Sequence, residues 1–381
     1  MKFTLKFALP AALLVPLKST VEGFRPSVMP TRGSRTNRAV PTSAHAASIK
    51  MGTGEPFNRR QFVQAGLVTV GCVMTSEATS AARADTDDGE DTLLNAMRDP
   101  PPHGEDVLLG SKDALPNRTQ FEMQYELFKR GMELENESNY EAAERQWTEI
   151  IDNFNSPNFR AESPANKFVL ARAYSNRGNA RLTLQRTTEA IVDYSASIDL
   201  VPEHGEFWLQ RGVAYEDMAD RNLMSDNNKE TVRSFYESAL SDYDHAVVLD
   251  PQDPQVYISR GDACSLLGQK KEALDNYRRA VGLSPMIPEF RGKVALAEIQ
   301  CGNQETGAYL IGELLKHYPD YPEMLLAGAA VAFQDGELAM SQALYNDAIH
   351  LDPRLLDSQF ILLILRWPSK PLAMVDTMRK A

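Results

Sequence analysis

Pro251, Pro285, Pro319 and Pro353 stand 34 residues apart, and this spacing constrains the fold more than any other feature of the chain. A fixed period of this length means that one small helix–turn–helix unit recurs and that neighbouring copies stack, because a single unit cannot bury its own apolar face. Pro202 precedes Pro251 by 49 residues, one period plus 15, so one unit carries an insertion.

Other columns fall into register when each unit is counted so that the proline occupies column 32. Column 8 holds Gly131, Gly178, Gly212, Gly261, Ala295 and Ala329. Column 20 holds Ala143, Ala190, Ala239, Ala273, Gly307 and Ser341. Column 24 holds Trp147, Tyr194, Tyr243, Tyr277, Ile311 and Tyr345. Small residues are expected where two helices cross closely. The aromatic column is expected to fill the space between one unit and the next. Proline ends the second helix because it lacks an N–H and clashes with the preceding turn. The endings Ile198-Asp199-Leu200-Val201-Pro202, Val248-Leu249-Asp250-Pro251 and Ile349-His350-Leu351-Asp352-Pro353 repeat that stop.

These columns resemble the tetratricopeptide repeat (TPR) family over roughly residues 124–353, with units starting near Gln124, Ala171, Gly205, Pro254, Pro288 and Pro322. The resemblance implies an all-α fold, a right-handed α-solenoid of about six units (121–353), with a C-terminal cap over 354–381. It also implies that columns 2, 5, 9, 12 and 13 of the first helices line a concave groove. Carried over, the candidate partner-binding residues are Arg172, Asn179, Leu209, Val213, Glu216, Asp217, Ile258, Asp262, Leu296 and Phe333. This mixed apolar and acidic surface suits a protein partner that offers an extended or helical segment with apolar anchors and Lys or Arg. Family members that clamp a chaperone's terminal carboxylate use Lys, Asn and Arg at columns 2, 5, 6 and 9. Asn176 and Asn179 stand at two such columns, but Ser175, Glu206, Gln210, Gln255 and Ser259 occupy others, which argues against that clamp.

A spacer around Asn158–Ala165 separates the first two units. The 15-residue insertion falls near 216–230, where Asn222, Ser225, Asp226, Asn227 and Asn228 suggest a loop before a long helix over Thr231–Val248. It reads either as a simple loop extension or as an element that touches a partner. After the array, Phe360–Leu365 is an apolar run stopped by Arg366-Trp367-Pro368, followed by a short amphipathic helix. A capping helix over the open end is expected; the alternative is an exposed apolar docking patch.

The first 84 residues read as addresses. Residues 1–23 carry Lys2 and Lys6 ahead of an apolar stretch, the pattern of a signal peptide. Residues 24–57 are rich in Arg, Ser and Thr and resemble a plastid transit peptide, with Phe24 at a junction like that of algae with secondary plastids. Residues 58–84 resemble a twin-arginine signal: Arg59-Arg60, an apolar stretch, then Ala82-Arg83-Ala84. In series they imply the thylakoid lumen. An acidic, Pro-rich lead over 85–120 follows.

The whole chain has 381 residues and a net charge of -12. Residues 1–84 hold eleven of its 40 basic and three of its 52 acidic residues, so the remaining 297 residues carry a net charge of -20. That acidity argues against nucleic acid as a partner, and no apolar run is long enough for a stable membrane span. No metal-binding His or Cys spacing, phosphate-binding Gly loop or nucleophile elbow appears. Neither catalysis nor a cofactor is implied. Cys264 and Cys301 fall on the first helices of adjacent units and read as packing residues, a disulfide or a redox pair. Asn117 and Asn136 begin glycosylation sequons, relevant only to a secreted glycoprotein. The expected function is a non-enzymatic scaffold that assists a photosynthetic complex. The rival is a regulatory subunit of a lumenal protease or isomerase.

Overall fold

The computed structural model describes residues 118–155, 164–225 and 228–381. The targeting residues Phe24, Arg59, Arg60, Ala82 and Ala84, the lead up to residue 117 and most of the spacer lie outside the described residues.

Among the described residues there are thirteen α-helices and no strand, and the first twelve form six consecutive pairs. They are α1 (Arg118–Asn136) with α2 (Tyr140–Phe154), α3 (Pro164–Thr183) with α4 (Thr187–Leu200), and α5 (Gly205–Met224) with α6 (Lys229–Leu249). Then come α7 (Pro254–Leu266) with α8 (Lys270–Leu283), α9 (Pro288–Cys301) with α10 (Gln304–His317), and α11 (Pro322–Gln334) with α12 (Leu338–Leu351). Four of these pairs begin where the proline register starts a unit, at Gly205, Pro254, Pro288 and Pro322. Proline suits the first helical turn, where its missing N–H would have no partner anyway, and it occupies that turn in α7, α9 and α11. The chain is an α-solenoid of stacked helical pairs.

Within a unit the column-24 ring lies over the column-8 glycine. A Cβ added at Gly131, Gly178, Gly212 or Gly261 would stand 2.6, 2.8, 2.5 or 2.6 Å from the ring of Trp147, Tyr194, Tyr243 or Tyr277 respectively. The aromatic column therefore closes its own helix pair, where the sequence pattern suggested a filler between units. All four rings are almost fully buried, as are Ala143, Ala190, Ala239 and Ala273. The fifth unit solves the same problem with smaller groups. Ala295 replaces glycine, Ile311 replaces the ring, and Gly307 lets α10 come close enough that a Cβ there would stand 2.8 Å from the Ala295 carbonyl oxygen. In the sixth unit Tyr345 is only half-buried.

The insertion differs from its expected form. α5 has 20 residues and α6 has 21, against 13 and 14 in α7 and α8. Both helices of the third unit simply run two turns further, and the connection between them spans only residues 225–228. The extensions adhere through Ala219, Val232 and Tyr236, packed with Phe235, Leu266 and Leu267.

After α12 come a 3₁₀ turn (Pro353–Leu356), a π-helical turn (Phe360–Ile364) and α13 (Ser369–Lys380). α13 packs chiefly on α11 and α9, the first helices of the last two units. It lies across the face assigned to the groove, not over the outer helix α12 that ends the stack.

Candidate functional site

The face made by the first helices is partly a finished interior. Glu216, Asp262, Leu209, Ile258 and Leu296 were expected on an open groove, yet their exposures are 0%, 3%, 6%, 5% and 3%. Arg172, Asn179, Val213, Asp217 and Phe333 remain half-buried.

Two causes account for the buried group. The first is internal bonding. The Tyr277 hydroxyl donates to Asp262 Oδ1 at 2.8 Å and Lys293 Nζ donates to the same oxygen at 2.7 Å. Tyr194 donates in the same way to Asn179 Oδ1 at 2.9 Å. Column 9 thus supplies the acceptor that a buried tyrosine hydroxyl needs. Leu209 packs with Tyr243, Val256 and Ala263, and Ile258 with Phe290 and Tyr277.

The second cause is the chain's own segment Phe360–Lys380. Phe360, Ile361, Trp367, Met374 and Val375 share one apolar cluster with Leu296, Ile299, Leu326 and Ala330, residues of columns 9, 12 and 5. Arg366 enters between the acidic side chains of α5. Its Nη1 and Nη2 donate to the two carboxylate oxygens of Asp220 at 2.8 and 2.6 Å, and Nη2 also reaches Glu216 Oε2 at 3.2 Å. The Tyr236 hydroxyl of α6 donates to Asp220 Oδ1 at 2.7 Å. Burial alone would lower the Arg366 pKa, but Asp220 and Glu216 outweigh it and hold the guanidinium charged. Burial, with the Asp220 charge beside it, raises Tyr236 well above the usual phenol value, so it stays a donor. Trp367 Nε1 donates to Glu323 Oε2 at 3.2 Å. Further along, Gln300 donates to Ser369 Oγ at 3.2 Å and accepts from the Lys370 amide at 2.7 Å.

Arg366 sits at φ 57°, the left-handed region that a non-glycine residue rarely takes. It comes just after Leu365, the residue that caps the π turn and whose amide donates to the Phe360 carbonyl oxygen at 3.2 Å. The backbone there is held by the ion pairs and the ring beside it, not by its own preference.

The half-buried residues are also engaged. Arg172 pairs with Glu206 at 2.6 Å, across the second and third units. Asp217 accepts from Thr187 Oγ1 at 2.5 Å and from Arg221 Nε at 2.7 Å.

Asp220, Tyr236, Arg366 and Trp367 were not singled out as binding residues from the sequence. The signal was a guanidinium placed between an apolar run and Trp-Pro, since a buried arginine requires carboxylate partners. Nothing in the sequence marks which carboxylates those are.

Cys264 is buried and Cys301 half-buried, and they are not bonded to each other. Burial pushes the Cys264 thiol up to about 11, and it raises Cys301 as well. Among the described residues no His, Cys, Asp or Glu group is arranged to hold a metal ion, and no helix is long and apolar enough to cross a membrane.

The tetratricopeptide repeat family matches residues 254–285. A curated relative, the DnaJ homolog subfamily C member 7 homolog of Dictyostelium discoideum, is 26% identical over 171 residues. Those residues are 45% of this chain, and the chain spans only 27% of that relative's length. Among solved structures, TTC0263, a thermophilic TPR protein of Thermus thermophilus, is 18% identical, covering 55% of this chain and 99% of its own at a TM-score of 0.40. YrrB, described as a TPR protein with an unusual peptide-binding site, is 15% identical, covering 55% of this chain and 92% of its own at a TM-score of 0.39. The family match falls on the fourth helix pair, which is therefore a tetratricopeptide repeat, and the same glycine–ring closure recurs in the three pairs before it.

Proposed function

We propose that this protein is a non-enzymatic interaction scaffold of the thylakoid lumen, assisting assembly or upkeep of a photosynthetic complex by holding a client segment on its first-helix face. The observation that carries the binding role is the way this face already holds a polypeptide segment. It does so through apolar anchors, a doubly bonded guanidinium and side-chain bonds to backbone. A surface that does this for residues 360–380 has the chemistry for a protein ligand of apolar and basic character.

The compartment rests on the three presequence patterns, and the photosynthetic role rests on the compartment. Residues 1–84 fused to a fluorescent reporter should deliver it inside thylakoids; signal in the endoplasmic reticulum or the medium would remove both. Affinity capture from isolated thylakoids should then recover subunits of a photosynthetic complex. Recovery of a protease or an isomerase alone would favour an adaptor role instead.

A further inference from the structure

Residues 360–380 do more than an end cap requires. An end cap needs only to cover the apolar surface of the last unit. This segment also reaches back to Asp220 and Glu216, 146 and 150 residues earlier in the chain. The receiving pocket is an addition to the repeat. A first helix as short as α7 or α11, 13 residues long, would end before position 220. Asp220 is helical only because α5 runs on, and its supporting donor Tyr236 stands on the matching extension of α6. The insertion therefore builds an arginine pocket in the third unit. Both Asp220 oxygens meet the planar fork of the guanidinium, a geometry that a lysine does not match. Charge also agrees: residues 360–380 hold four basic residues and one acidic residue, against a net charge of -23 on the rest of residues 85–381.

We propose that residues 360–380 are a displaceable ligand of the chain's own groove, and that the groove of units three to six takes in their place a segment of another protein bearing an arginine followed by a large aromatic ring, with an apolar run before the pair. The inference rests on the reading of this face as a protein-binding surface. The Arg366 backbone supports displacement: its left-handed conformation is held by the pocket, so leaving the pocket relieves it. Tethering raises the segment's effective concentration, so an outside ligand meets a closed groove until the segment is released.

The test uses the full chain with a protease site introduced between Leu356 and Gln359, in the short exposed connection ahead of the π turn. The chain is folded first and cleaved afterwards, so no buried residue is altered. The probe is a fluorescein-labelled synthetic peptide of residues 358–381, beside the same peptide carrying Arg366→Ala. The cleaved chain should bind the native peptide about tenfold or more tightly than the uncleaved chain does. The Arg366→Ala peptide should lose about tenfold or more. An uncleaved Trp367→Ala chain should gain affinity for the native peptide. Retention of the original segment overnight, with no peptide exchange, would make it a fixed structural cap and overturn the proposal. Equal binding of the two peptides would also overturn it, as would cleaved chains that pair by trading segments. Capture of a client equally well by cleaved and intact chains would sink this inference and leave the scaffold reading standing. Peptide exchange with no client captured from thylakoids would do the reverse.

Discussion

A methyl group at position 212 would stand 2.5 Å from the ring of Tyr243, which is itself fully buried between α5 and α6. The ring has no room to retreat, so Gly212→Ala must push the two helices apart. It should destabilise the protein by about 1–3 kcal/mol, read as a lower thermal midpoint. Gly282, where an added Cβ meets nothing within 4 Å, is the matched control for helix propensity. A second residue-scale prediction concerns Glu323, which accepts from the Trp367 indole. Burial pushes its carboxyl up to about 7, against the lowering effects of Trp367 and Lys293 and with the raising effects of Glu289 and Asp352. Because the folded value exceeds the ordinary carboxylate value of 4.5, the folded state is favoured with the proton on. That stability is complete below about pH 4.5 and is lost as pH rises through 7. Glu323→Gln should flatten this component of the pH dependence. Thermal midpoints of both proteins across pH 5–8 check it, and a parallel pH profile for the variant would refute the assignment.

At the scale of elements, α5 and α6 depart furthest from the repeat and bear the most specific contacts. Removing residues 218–232 restores the 34-residue spacing between Pro202 and Pro251. It also removes Asp220 and breaks the Arg366 pocket. The array should still unfold cooperatively, since neighbouring units keep their shared faces. Amides of α13 should exchange about hundredfold or more faster, because the lost buried pair is worth roughly 3–5 kcal/mol to the segment it anchors. Unchanged α13 protection would mean that its apolar contacts with α9 and α11 suffice. The long helices were only half legible beforehand. Asn222, Asn227 and Asn228 suggest a loop, but Asn222 turns its side chain back to the Met218 carbonyl oxygen at 2.7 Å and stays helical. α5 runs on through Asn222 to Met224.

For the molecule as a whole, the array was readable because its determinants are local and repeated. A glycine and a ring recur at fixed offsets, and proline marks each stop. The groove columns were readable for the same reason, but their accessibility was not. Glu216 and Leu296 look open when only their own units are considered, and the segment that covers them lies well beyond both in the sequence. No period relates Arg366 to Asp220, so the pairing is a property of the completed fold. The negative charge of the body likewise reads as solvated surface until the structure shows Glu216, Asp220 and Asp262 spent on internal cations.

The 146 residues between Asp220 and Arg366 also set a clock. A ribosome adding about 5–20 residues per second leaves roughly 7–30 s between the synthesis of the pocket and of its occupant. Each helix pair can form from neighbours in sequence during that interval, whereas the closing contact must await a long loop. Every newborn molecule thus passes through a brief age in which its arginine pocket is built and vacant. Refolding from denaturant should reproduce it as a rapid gain of helix followed by a slower change in Trp367 fluorescence, and a basic, aromatic peptide present from the start should delay the second phase alone.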